Sequence, residues 1–120
     1  YCGGFKTEQD FPSNPPAPNT IPNGSILNTE HTWPQSRFTN KYSKDLQKSD
    51  LHHLFPTDSE INSIRGNNRF GEVVKDSKIL KCPASRTGTP DRGGGEVFEP
   101  PKEHKGNVAR ALFYFSVRYE

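Results

Sequence analysis

The feature that most constrains this chain is where its few apolar residues fall. Val108, Ala111, Leu112, Phe115 and Tyr119 recur at helical spacing near the C-terminal end and form one apolar stripe. Phe113, Tyr114 and Val117 widen that stripe, so the spacing predicts a core helix over 106–119. Apolar residues are scarce elsewhere. Leu, Ile, Val and Phe together number 24 of 120 residues, near the border below which chains stay disordered, yet a net charge of +2 is too small for that class. Ten Gly and 11 Pro put much of the backbone in loops. A large apolar ligand cavity is excluded, and no apolar run approaches the ~18–20 residues that span a bilayer.

The remaining chain divides by pattern. Residues 1–27 read as loop, because the run Phe11-Pro12-Ser13-Asn14-Pro15-Pro16-Ala17-Pro18 fixes φ repeatedly and lacks donors. Ile26 to Trp33 read as a short strand, followed by a polar, basic connection from Gln35 to Lys48. Thr57-Asp58-Ser59-Glu60 is a capping box after Pro56, which places a helix from about Asp58 to Arg65 with a stop near Gly66. Residues 75–95 hold Lys75, Lys78, Lys81, Arg86 and Arg92 around Gly93-Gly94-Gly95, and read as a mobile basic loop with little regular structure.

Charge is uneven. Residues 61–95 carry +4 while the rest is close to neutral, the pattern of a local anionic partner such as a phosphate backbone, or of a solvated basic loop. The chain has no Met and opens on Tyr1, so it is expected to be processed or cut from something longer. Its two cysteines, Cys2 and Cys82, are compatible with one bridge of a secreted protein; the alternative is two unrelated thiols.

Three elements can carry chemistry. Glu30-His31 sets a hard oxygen ligand beside a base that titrates near neutrality. In Asp50-Leu51-His52-His53-Leu54-Phe55-Pro56, the two His do not fit zinc spacing, and His52 reads as a partly buried hydrogen-bonding residue tying the helix to the strands. On the helix, Ile61 and Ile64 face the core while Asn62 and Arg65 fall on neighbouring surfaces. An amide oxygen with one carboxylate suits Mg²⁺, which keeps several waters, better than Zn²⁺. The plainer reading of Asn62 is an exposed helix position.

Taken in order, these segments resemble the bacterial endonuclease I family of secreted nucleases, within the ββα-metal (His-Me finger) superfamily. The resemblance runs through Asn28-Thr29-Glu30-His31-Thr32-Trp33-Pro34-Gln35-Ser36, Ser49 to Phe55, and Pro56 to Asn67-Asn68-Arg69-Phe70-Gly71-Glu72. It continues in Phe98-Glu99-Pro100-Pro101 and Lys105 to Tyr114, and the opening Tyr1-Cys2-Gly3 is also similar.

The resemblance implies an α+β fold: a single nuclease domain over 1–120 with a ββα-metal finger at 28–72, a basic loop at 73–105 and a core helix at 106–119. It implies His31 as general base and Glu30 and Asn62 as Mg²⁺ ligands, with Mn²⁺ or Ca²⁺ substituting in binding; the bridge read from the cysteine count would make Cys2 and Cys82 structural residues. Arg110 is expected to act at the catalytic site, holding a phosphate, or else to pair with Glu99; Arg65 is a similar substrate-binding candidate. Arg37, Lys41 and Lys44 lie where the family often places a phosphate-holding arginine, but the role passes to none of them. The implied activity is sequence-nonspecific hydrolysis of DNA, with RNA as a second substrate, to 5′-phosphate products, by a secreted or periplasmic monomer. Family members continue past the final helix, so a scaffold truncated at the C-terminus is expected from the stop at Glu120. The competing readings are an extracellular ribonuclease of the same family and a non-catalytic nucleic-acid-binding module with the same fold.

Overall fold

Strand β1 (Leu27–His31) pairs antiparallel with β2 (Leu54–Asp58), so that Glu30 lies opposite Phe55 and His31 opposite Leu54. This sheet has only two strands, so both are edges, and Pro56 is tolerated in β2 although it has no N–H to donate. The computed structural model describes residues 1–3, 11, 13 and 15–120; the rest of the expected N-terminal loop, residues 4–10, 12 and 14, lies outside the described residues.

The connection between the strands is polar, as read, but it is built. A 3-10 turn at Gln35–Arg37 leads to helix α1 (Lys44–Ser49), which Ser43 caps by accepting from the Leu46 N–H. Buried Gln47 organises the loop from inside. Its amide donates to the Thr39 and Tyr42 carbonyls at 2.9 and 3.0 Å, and its oxygen accepts from the Thr39 N–H. A second 3-10 turn, Leu51–His53, returns the chain to β2.

Helix α2 (Ser59–Arg65) follows β2 directly. Its bounds match the local signals, but the cap is Asp58 rather than Thr57: Asp58 Oδ1 accepts from the Ile61 N–H at 3.0 Å. Thr57 is instead buried in β2, with a hydroxyl that has no partner among the described residues. The helix stops at Gly66, whose φ of +54° favours a residue without Cβ.

The expected basic loop is a correction. Residues 69–99 form a four-stranded sheet in the order β3-β6-β5-β4, from β3 (Arg69–Phe70), β4 (Lys75–Lys78), β5 (Arg86–Thr89) and β6 (Val97–Glu99). β3 and β6 run parallel, and the other pairs are antiparallel. β4 escaped the sequence reading because it is an edge strand exposed along its whole length, with no apolar alternation to signal it. Gly88 makes the pairing feasible: a Cβ there would sit 2.0 Å from the Lys75 carbonyl oxygen.

Ile61, Leu80 and Phe98 form a small core where α2 meets this sheet, and the Cys2–Cys82 disulfide packs against it. Helix α3 (Lys105–Tyr119) buries Val108, Ala111, Phe115 and Tyr119, as its stripe requires. Leu112 is half-buried, whereas Phe113 and Val117 are each 73% exposed; they stand off the stripe rather than widening it. Phe115 stacks with Trp33 and Phe38 at 5.1 and 5.5 Å, which locks α3 onto the connection after β1. No helix among the described residues is long and apolar enough to cross a membrane.

Candidate active site

β1 and α2 bring Glu30, His31, Asn62 and Arg65 to the wall of one cavity of about 490 Å³, together with Gln35, Ser36 and Asn67. Four of the five residues singled out as chemical in the sequence therefore converge. The hydrogen bonds at each show what it has left to offer.

The His31 Nε2 lies 3.0 Å from the Lys48 carbonyl oxygen. A carbonyl can only accept, so Nε2 carries the proton and Nδ1 keeps a lone pair. Nδ1 lies 3.4 Å from the Gln35 side-chain amide, which donates to it. Burial pushes His31 below the usual imidazole range, so the ring stays neutral near pH 7 with Nδ1 available as a base.

Glu30 is buried and Arg65 with it. Arg65 Nη1 donates to Glu30 Oε1 at 2.7 Å and to the His31 carbonyl at 3.1 Å, while Nη2 donates to the Thr32 carbonyl at 2.8 Å. The Tyr1 hydroxyl donates to the same Oε1 at 2.7 Å. Burial pushes the Glu30 carboxyl up, against the pull of the Arg65 guanidinium beside it. These bonds all fall on Oε1 and leave Oε2 to other ligands. The Arg65 charge tolerates burial only because of this pairing, so its expected substrate contact gives way to an inward role, clamping α2 to the end of β1.

The Asn62 Nδ2 donates to Asn28 Oδ1 at 2.8 Å and to the Thr29 carbonyl at 3.3 Å. That orientation turns its carbonyl oxygen free. One carboxylate oxygen and one amide oxygen thus carry no hydrogen bond among the described residues, on two residues that line the cavity, and hard oxygens of this kind suit Mg²⁺ with retained waters. Among the described residues no group of three His, Cys, Asp or Glu is placed to hold a metal, so the fit rests on this pair.

Arg110 stands apart. It is exposed on α3, donates to Asn107 Oδ1, and does not line the His31 cavity. Nor does it pair with Glu99, which instead meets Lys105 at 2.6 Å and Arg86 at 3.6 Å. Asn107 and His104 line a separate cavity of about 580 Å³ that reaches Glu30, so Arg110 is linked to the Glu30 region through Asn107.

The buried histidine that ties the helix to the strands is His53, not His52. His53 Nε2 donates to the Gln47 carbonyl at 2.9 Å, and its ring packs 4.6 Å from Phe115 and 5.5 Å from His31. The His52 side chain is 69% exposed; it bonds Asp50 at 3.0 Å and stacks on Tyr114 at 4.4 Å. The two differ by one position in a 3-10 turn, a distinction that sequence patterning does not register. Gln35 was also missed, although it lies four residues after His31 and follows a Pro, the signal of a turn folding back on the strand end.

The family model described as Endonuclease I matches residues 6–120. An extracellular ribonuclease of Bacillus subtilis (strain 168) is 39% identical over 93 residues, 78% of this chain and 29% of the relative. An extracellular ribonuclease of Bacillus amyloliquefaciens is 40% identical over 93 residues, with the same coverage. Endonuclease-1 of Buchnera aphidicola subsp. Acyrthosiphon pisum (strain APS) is 31% identical over 72 residues, 60% of this chain and 27% of the relative. The chain spans less than a third of the length of these curated relatives. It belongs to the endonuclease I family.

Proposed function

We propose that this endonuclease I family chain hydrolyses phosphodiester bonds of nucleic acid without regard to sequence, with His31 as general base on a ββα-metal finger spanning 28–72. The observation that carries the reading is the His31 ring: Nε2 is spent on the Lys48 carbonyl, and Nδ1 faces the same cavity wall that presents Glu30 and Asn62. His31 Nδ1 takes a proton from a water whose oxygen bonds the phosphorus in line as the P–O3′ bond breaks; one product keeps the 5′-phosphate, and the leaving oxygen takes a proton from solvent to become the 3′-hydroxyl of the other. Gln35, the present partner of Nδ1, turns away or orients that water. A Mg²⁺ held by Glu30 and Asn62 would offset the charge developing on the phosphate and the leaving oxygen. Mn²⁺ or Ca²⁺ would occupy the same pair. Arg65 holds Glu30 in place rather than touching substrate, and Arg110 contributes a phosphate contact from α3.

RNA is as well supported as DNA as the substrate, since two relatives are named extracellular ribonucleases. The same names, with the Cys2–Cys82 disulfide, support a secreted or periplasmic location.

Digestion of plasmid DNA and of RNA, each with Mg²⁺ and with EDTA, tests the reading. His31→Ala is expected to slow cutting at least ~10²-fold, the scale of a general base. Cutting that survives either chelation or the substitution overturns the mechanism. Gel-shift binding with no cutting at any Mg²⁺ concentration identifies a binding module instead.

A further inference from the structure

A second, smaller cavity of about 280 Å³ adjoins the His31 cavity, sharing Pro34 and Arg65 as its dividing wall. It lies between the start of the β1–β2 connection, strand β3 and helix α3. We infer that it receives one nucleobase of the substrate strand, next to the bond that is cut. The inference rests on the hydrolase reading above and names a subsite within it.

Three observations converge on a base. The walls are planar and apolar, with Trp33, Phe70 and Leu112 facing the space. Trp33 is held rigid by its stack on Phe115 and by donation from Nε1 to the Arg37 carbonyl at 3.1 Å. Phe70 is held under the Arg65 guanidinium, 4.3 Å from its ring centre. Rigid aromatic surfaces of this kind serve as stacking platforms, because every base has a π-face. The volume is also small: pockets for drug-sized ligands begin near ~300 Å³, so a single ring system is the occupant of fitting size.

The rim is cationic. Arg37 and Arg69 line the cavity and are exposed, and neither forms an ion pair among the described residues. Arg37 donates from Nη2 at 3.1 Å to the carbonyl of Asn67, a residue that lines the His31 cavity. Unpaired guanidinium groups flanking an apolar slot match a phosphate on each side of an inserted base.

Base insertion requires an unstacked strand, so the structure assigns a preference for single-stranded nucleic acid over duplex. Trp33 is the only tryptophan of the chain and reports occupancy directly by its fluorescence. The full chain is titrated in EDTA with a ten-residue oligothymidylate, with an abasic oligomer of the same length and with a blunt duplex. The expected result is quenching by oligothymidylate and binding about ten-fold tighter than to the abasic oligomer. Leu112→Phe fills the slot and should remove that difference without weakening the abasic oligomer. Arg69→Glu, at an exposed position, should weaken both oligomers and shows that the signal comes from this rim. Equal affinity for oligothymidylate and abasic oligomer, or discrimination that persists in Leu112→Phe, overturns the inference. Either result in a protein that still cuts plasmid leaves the hydrolase reading standing. Intact base discrimination in a chain that cuts nothing supports the subsite and removes the hydrolase reading.

Discussion

The half of the molecule built from β1, β2, α1 and α2 buries polar groups, whereas the half built on the four-stranded sheet buries mainly apolar ones. Glu30, Thr32, Gln47, His53, Thr57 and Arg65 are all buried in the first half; Val73, Leu80, Val97 and Phe98 fill the second, with Ser85 and Thr87 beside them. Apolar burial is non-directional and tolerates repacking, so the sheet half acts as a platform. Polar burial is directional, and the partners found by the His31 ring, the Glu30 carboxylate and the Asn62 amide set each in a fixed orientation. The site half exchanges robustness for geometry.

The contrast predicts that single substitutions are most damaging where buried charge loses its partner. Arg65→Ala leaves Glu30 buried and unpaired, and is expected to cost about 3–5 kcal/mol in urea denaturation. The double variant Arg65→Ala/Glu30→Gln should recover part of that loss; a single variant within about 1 kcal/mol of the parent would break the comparison.

Reducing the Cys2–Cys82 bridge, which closes a sequence separation of 80 residues, is expected to cost about 4 kcal/mol on the chain-entropy model, read as a shift of the urea midpoint with and without reductant. In the sheet half the sharpest sensitivity is steric. Gly88→Ala drives a methyl into the Lys75 carbonyl and should cost about 3 kcal/mol, the upper range for overpacking.

Acid sensitivity follows from Asp50, which joins α3 to the site half. Burial alone would raise its carboxyl, but donation from the His52 N–H and side chain, from Tyr119 at 2.7 Å and from Tyr114 at 2.9 Å brings it down to about 2. A carboxylate lowered on folding contributes its stability above its unfolded value near ~3.9 and loses it as the pH falls toward 2. That contribution is about 2 kcal/mol. Acid titration followed by circular dichroism should show it, and Asp50→Asn should flatten the curve over that window. The smallest effect is expected at Phe113→Ser, on the exposed side of α3, within about 0.5 kcal/mol by the same denaturation assay.

What the chain discloses before folding follows the same division. The bounds of α2 and the buried stripe of α3 were legible because caps and helical periodicity are local. The meeting of Glu30, His31 and Asn62 was legible through the family pattern, not through spacing. The sheet at 69–99 was not legible, because β4 is exposed along its length with no apolar alternation, and its pairing with β5 is closed by a loop rather than a tight turn. The +4 of residues 61–95 also misled in part. Arg86 is committed to Asp76 at 2.9 Å, and Lys81 to Asp58 and Glu60 at 2.9 and 3.1 Å, while Lys75, Lys78 and Arg92 stay exposed without ion pairs among the described residues. Net charge along a sequence does not reveal which cations are already paired across the fold.

The disulfide has a consequence for how the chain withstands proteases. Every peptide bond between Cys2 and Cys82 lies within one covalent ring, so a single cut there, even in the connection that carries Gln35 and α1, opens the ring without releasing a fragment. A cut in the exposed Gly93–Gly95 turn lies outside the ring and severs β6 and α3 from the rest of the chain. The connection after β1 is therefore covalently insured against one nick, while the helix that braces it hangs on a single strand of backbone.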